Sequence, residues 1–147
     1  MGSLPCVGMD DLPALVQRIG AVLAEHPVAF SYLFGSVARG EGGPDSDVDV
    51  AIRFTKPLGR GDRFARRLRI GVELERKLAR EVDVIDLEDA PLRLAGRILT
   101  ERIVVSGLAS PERVRYETDL FPRYIDFERH ARELDRQLLE TMAAGDR

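Results

Sequence analysis

The sequence predicts a single α/β domain. Three observations carry this expectation. Val28–Phe34, Val48–Phe54 and Val82–Leu87 are strand-length runs rich in β-branched or aromatic residues. Around them lie segments whose apolar residues recur at helical spacing. A chain of 147 residues suits one domain with a core of its own.

The first helix is expected over Asp10–Glu25, with Asp10 or Asp11 as its cap and Pro13 in its first turn. Leu12, Leu15, Val16, Ile19 and Leu23 share one face, and Pro27 stops the helix. Residues 1–9 read as a flexible lead, or Met9 as an alternative start. After the first strand, Gly35-Ser36 turns the chain and Ser36 is placed to cap a short helix over Val37–Arg39. Gly40–Asp45 is a loop broken by glycines and Pro44, and Val48–Phe54 follows as the second strand.

A polar connection over Thr55–Gly61 leads to a helix over Asp62–Leu78. Phe64, Leu68, Val72, Leu74 and Leu78 give it an imperfect apolar face. Arg60, Arg63, Arg66, Arg67 and Arg69 crowd its start and read as a solvated face, with a nucleotide or partner contact as the alternative. Then come the third strand, a short helix over Pro91–Leu99 and an extended run over Arg102–Val105. Ser110 caps a last helical region from Pro111, which Pro122 should kink or split. The stripe Tyr124, Phe127, Ala131, Leu134, Leu138 reads as core in its first half, while its end fits core or a partner surface equally. Ala143–Arg147 is expected to fray.

Composition narrows the function classes. Net charge is −3, without the basic excess of a dedicated nucleic-acid binder, so direct nucleic-acid binding is not expected. Cys6 is the only cysteine, which rules out an intrachain disulfide or a cysteine-based metal site and suits a cytoplasmic protein. No apolar run reaches membrane-spanning length, and no signal peptide is evident.

The chemistry concentrates in Leu33–Phe54, LFGSVARGEGGPDSDVDVAIRF. Asp47 and Asp49 alternate, so both carboxylates face the same way. Burying them unpaired is costly, and a hard cation such as Mg²⁺ would offset that cost. Taken alone, Asp-x-Asp also fits a solvated strand face. The context shifts the balance. Gly35-Ser36 lets backbone N–H groups approach a phosphate at a helix start, Ser36 adds a hydroxyl, and Arg39 offers a planar fork. A surface salt bridge to Asp45 is the plainer role for Arg39. A third acid would complete a two-metal site. Asp83, flanked by Val82 and Val84 and expected to be buried in mid-strand, is the choice; Asp86 is the strand-end alternative. His26 and His130 have no neighbours that suggest catalysis.

Gly35-Ser36-Val37-Ala38-Arg39-Gly40 followed by Ser46-Asp47-Val48-Asp49 resembles the minimal nucleotidyltransferases of the DNA polymerase β superfamily. The spacing from Ser36 to Asp47 is similar to the antitoxin branch of HEPN/MNT toxin–antitoxin systems. Glu81–Leu87 with Ala90-Pro91-Leu92 resembles the family's third-acid strand and following helix, and Arg113–Phe127 looks like its tail. The resemblance implies an α/β (α+β) nucleotidyltransferase fold, a short mixed sheet carrying the acids on one face and helices on the other. Residues 10–110 would form the catalytic domain and 111–147 a helical extension of it. Asp47, Asp49 and Asp83 would hold two Mg²⁺ ions, and Gly35, Ser36, Arg39 and Ser46 would hold ATP. The implied activity is AMP transfer from ATP to a tyrosine of a HEPN ribonuclease toxin, possible homo- or hetero-oligomers included. Two rivals stand beside it: a binding antitoxin that silences the toxin by covering it, and a nucleotidyltransferase acting on an antibiotic hydroxyl.

Overall fold

A computed structural model of the chain describes residues 11–145. The elements run α1 (Leu12–Leu23), β1 (Val28–Phe34), α2 (Gly35–Ala38), β2 (Val48–Phe54), α3 (Arg60–Leu78), β3 (Val82–Asp86), α4 (Leu92–Glu101), β4 (Ile103–Ser106) and α5 (Pro111–Gly145). The four strands form one mixed sheet in the order β3-β2-β1-β4. β1 is antiparallel to β2 and β4, and β2 is parallel to β3. The parallel pair needs a crossover, which α3 supplies.

Strand alternation divides the core in two. Leu33, Val48, Val50, Ile52 and Phe54 face α1 and α3, where Leu15, Ile19, Leu23, Ile70, Leu74 and Leu78 meet them. Phe30, Tyr32, Phe34 and Ala51 face the other way, onto Ala95, Ile98, Leu99 and Leu120 of α4 and α5. Asp49 falls on this second face, two residues before Ala51. Tyr124 closes α5 onto α4 at Gly96, where a Cβ would stand 2.2 Å from the ring's Cγ.

Several expectations are corrected. Phe64, Leu68 and Val72 do not form the inner face of α3; they are 56%, 54% and 49% exposed. Ile70, Leu74 and Leu78 point inward instead, with Arg63 in the first buried position. Arg63 is therefore not on a solvated face. It donates to Asp86 at 2.9 Å and to Asp89 at 3.1 Å. A buried cation is tolerable only with such partners.

Pro122 does not split α5, which runs through it to Gly145. The proline is exposed, so water can satisfy the carbonyl left without its helical donor. The turn expected to fray is helical through Gly145, and residues 146–147 lie outside the described residues. Asp11 stands at the N-cap of α1 without a side-chain capping bond; Asp10 and the 1–9 lead also lie outside. Ser110 does cap α5, accepting the Arg113 N–H at 3.4 Å. The stripe on α5 packs only at its start. Phe127 is 39% exposed and Leu134 65%.

One polar knot fastens α5 to the sheet. The fully buried Tyr32 hydroxyl donates to Glu117 at 2.8 Å. Arg102 and Arg113 donate to the same carboxylate oxygen at 3.0 and 2.8 Å. Burial and the neighbouring carboxylate both push the Tyr32 hydroxyl far above its ordinary pKa, so it remains a donor. Glu117→Ala would leave a buried hydroxyl and two guanidinium groups without their acceptor. We expect a loss of about 3 kcal/mol in chemical denaturation. Asp119→Ala, which removes an exposed pair with Arg123, should cost under about 0.5 kcal/mol. Equal effects from the two would show that the knot does not fasten α5.

Candidate active site

The site begins where β1 ends. Gly35 follows Phe34 with φ +80, a conformation that penalises any residue with a Cβ. Space forbids one as well, since a Cβ there would lie 2.1 Å from Asp49 Oδ2. The backbone of the turn thus lies directly against the Asp49 carboxylate. Helix α2 starts at Gly35 rather than at Val37, so Ser36 is inside its first turn and is not the cap. The Glu41 and Gly42 N–H groups donate back to the Ser36 carbonyl at 2.9 and 3.1 Å, folding the loop over α2. The Ser46 hydroxyl accepts the Gly43 N–H at 2.9 Å. Arg80 pins the same loop through the Gly43 and Ser46 carbonyls, at 3.0 and 2.6 Å.

The acids meet through strand register. In the parallel pair, Asp49 of β2 is opposite Asp83 of β3, and Asp47 lies just before β2. Asp49 is half-buried, while Asp47 and Asp83 are exposed. The expected burial of Asp83 is corrected: β3 is an edge strand, and Asp83 sits near its open start. Asp86 is the buried acid instead. It lies opposite Ile52, on the sheet face turned to α3, where Arg63 neutralises it. The structure therefore groups Asp47, Asp49 and Asp83 and sets Asp86 apart.

Among the described residues, none of the three grouped carboxylates has an ion pair or a side-chain hydrogen bond. Burial, then the charges of Asp83 and Asp47, raise the Asp49 carboxyl above its ordinary pKa. This arrangement fits a hard divalent cation in donor type: carboxylate oxygens on one face, with the Arg97 charge offsetting only part of the burial and repulsion at Asp49. Among the described residues, no three such side chains stand close enough to hold a metal ion as they are.

Arg39 is not paired with Asp45. Its Nε donates to Glu41 at 3.0 Å and its Nη1 to Glu101 at 2.8 Å. Glu101, the last residue of α4, also accepts the Gly35 N–H at 3.0 Å. Neither Glu101 nor Arg80 was legible as part of this region, because each arrives from a distant segment with no local pattern to announce it. The two histidines are engaged elsewhere, His26 with Glu73 at 2.7 Å and His130 with the Asp126 carbonyl at 2.9 Å. A cleft of about 610 Å³, lined in part by Arg53, Arg115 and Tyr116, opens by the far end of β2; the acids do not line it. They occupy an open ledge instead.

A carboxyl whose pKa is raised by folding holds its proton more tightly in the fold. Its ionisation therefore costs stability as pH rises through the ordinary carboxyl value toward the raised one. Asp49→Asn should raise the melting temperature of the cation-free protein at neutral pH, with the difference shrinking in acid. A lower melting temperature for the Asn variant throughout would contradict this electrostatic picture. Gly35→Ala should destabilise by about 2 kcal/mol or more, from both the positive φ and the collision with Asp49.

Comparison with known proteins agrees with this geometry. The family model described as polymerase beta, nucleotidyltransferase, matches residues 17–108. A Methanocaldococcus jannaschii protein described as a candidate protein adenylyltransferase is 35% identical over 89 residues, covering 60% of this chain and 91% of that protein. A solved structure described as a candidate minimal nucleotidyltransferase is 30% identical at a TM-score of 0.54, over 69% of this chain and 98% of that one. A chain of a toxin–antitoxin complex with AMP-PNP matches at a TM-score of 0.63 and 20% identity, over 86% of this chain and 97% of that one. A complex of a tri-AMPylated Shewanella oneidensis HEPN toxin with an MNT antitoxin matches at 0.59 and 18%, over 88% and 97%. With the turn, the loop and the acids in the order the motif requires, and the family model covering most of the described chain, this protein belongs to the polymerase beta nucleotidyltransferase family, in its minimal form.

Proposed function

We propose that this protein is a Mg²⁺-dependent adenylyltransferase that moves AMP from ATP to a tyrosine hydroxyl of a HEPN ribonuclease toxin, and so acts as its antitoxin. The observation that carries the reading is the register of Asp49 with Asp83 beside the positive-φ turn at Gly35, whose backbone lies against the Asp49 carboxylate. The matched toxin–antitoxin complexes, one holding AMP-PNP and one a tri-AMPylated toxin, support the choice of nucleotide and acceptor.

Asp47, Asp49 and Asp83 would hold the cation. When bound, Mg²⁺ supplies charge neutralisation of the triphosphate and acidifies the acceptor hydroxyl, most effectively as a pair of ions. The remaining work falls to the chain. Ser36 and the N–H groups of the α2 turn hold the terminal phosphates, and Ser46 keeps the neighbouring loop in shape. Arg39 faces the charge that builds on the phosphates as the bond breaks. Asp49, half-buried against the turn, serves the nucleotide side. Asp83, exposed on the edge strand, serves the acceptor side and takes up the tyrosine proton. The tyrosine oxygen forms its new bond to the α-phosphorus, the bond to the bridging oxygen breaks, and pyrophosphate departs. The open ledge suits an acceptor carried on another protein, which a closed pocket would exclude.

Among the described residues, no helix is long and apolar enough to cross a membrane. Together with the lone cysteine this agrees with action in the cytoplasm. A second reading, inhibition by covering alone, draws on the far half of α5, where Leu134, Leu138, Leu139 and Met142 are all more than half exposed.

The test is intact-mass measurement of a HEPN toxin after incubation with the protein, ATP and Mg²⁺. Transfer predicts a mass gain of one or more AMP groups, lowered at least ~100-fold in rate by Asp49→Asn, since losing a metal ligand costs no less than losing its outer partner. Toxin silencing with no mass change, retained in Asp47→Ala, would establish the covering mechanism instead. Wild-type transfer by Asp49→Asn would reject the assignment of the acids.

A further inference from the structure

We infer that Glu101 is a positioning residue of the nucleotide site, fixing the Gly35 turn and Arg39 in one geometry. The inference rests on the adenylyltransferase reading above. It starts from two donors that must be held at the site. The Gly35 peptide lies against a carboxylate at positive φ, a placement that needs an anchor. Arg39, one helical turn on, carries a long side chain that would otherwise sample many rotamers. One carboxylate spans both: Glu101 Oε2 accepts the Gly35 N–H at 3.0 Å and Oε1 accepts Arg39 Nη1 at 2.8 Å.

Glu101 gives each donor its own oxygen, whereas a glutamine offers one oxygen and one amide NH2 group. In the same rotamer, Glu101→Gln would set that NH2 group against either the Gly35 N–H or the guanidinium, donor against donor. Meanwhile Arg39 Nε is taken by Glu41, and Nη2 has no hydrogen-bonding partner among the described residues. Glu101 and Glu41 together thus hold Nη1 and Nε and leave Nη2 to face a phosphate.

The same carboxylate could instead be a stand-in that the triphosphate displaces. Its surroundings argue against that. The side chain is only 16% exposed, and Arg97 Nε stands 3.8 Å from Oε1, the same oxygen that accepts from Arg39. A phosphate taking its place would strand a largely buried carboxylate between two guanidinium groups it no longer contacts as it did, which is strongly unfavourable. Held by Arg39 and flanked by Arg97, Glu101 also has much of its own charge compensated.

Two measurements test this. In the nucleotide-free protein, amide hydrogen exchange at Gly35 should accelerate at least about tenfold in Glu101→Gln; unchanged exchange would overturn the linkage. Equilibrium binding of ATP with Mg²⁺ should weaken about 10–100-fold in Glu101→Gln, the range for residues that orient a site from behind. The loss should shrink but persist when the substitution is made in an Arg39→Ala background, because one of the two Glu101 contacts is then already gone while the one to Gly35 remains. Fully additive losses, or a lower melting temperature with unchanged binding, would reduce Glu101 to a structural residue. Equal or tighter binding by Glu101→Gln would make it a displaced stand-in. If the wild-type protein binds no ATP while Gly35 still loses protection in Glu101→Gln, the adenylyltransferase reading fails and the linkage stands.

Discussion

The parallel pairing of β2 with β3 is the constraint on which the site depends. It sets Asp49 opposite Asp83, and it does so at the end of the sheet where β1 turns at Gly35. A slip of one residue would send Asp83 to the α3 face and bring Val82 or Val84 to the acids. The register is held from behind by apolar side chains. Val48, Val50 and Ile52 of β2 and Val84 of β3 lie in the layer beneath α1 and α3. Stability and site geometry are therefore coupled through the same strand: its inner residues hold the register, and its outer residues display the charge.

That coupling explains where the molecule accepts electrostatic cost. Asp86, on the inner face, is matched by Arg63. Asp49, on the outer face, has its pKa raised by burial first and then by the charges of Asp83 and Asp47, and among the described residues no side-chain hydrogen bond offsets this. Acids on neighbouring strands thus have opposite circumstances, set by the sheet face each occupies. A half-buried carboxylate crowded by two others is a cost to the fold alone, and such costs are typical of places built for a charged ligand. The polar knot at Glu117 and the bridge at Glu101 follow the other rule. Each buried acceptor is filled, and each ties an element after residue 100 back to β1 or its turn.

The local parts of this structure were legible in the sequence and the nonlocal parts were not. β1 and β2 have the bounds expected of them because their β-branched and aromatic runs end at Pro27, Gly35 and a polar stretch after Phe54. The glycine turn and the alternating acids could be read for the same reason, since each is a short pattern with a short-range cause. The inner face of α3 could not. Its apolar residues form two stripes, and the choice between them was made by the sheet and by Asp86, which drew in Arg63 in place of Phe64. The exposure of Asp83 depended on strand order, which the residues of β3 do not encode by themselves. Glu101 reaches Gly35 across 66 positions of sequence, and Pro122 was tolerated because its freed carbonyl faces water.

The central claim is that these three aspartates and the Gly35 turn form one site for a divalent cation and a triphosphate. Its most direct test is a crystal structure with Mn²⁺ and a non-hydrolysable ATP analogue, read by the anomalous signal of the metal. We expect a peak bounded by Asp47, Asp49 and Asp83, with the terminal phosphates against Ser36 and the N–H groups of α2. A metal and nucleotide bound elsewhere, with the three carboxylates left unliganded, would contradict it.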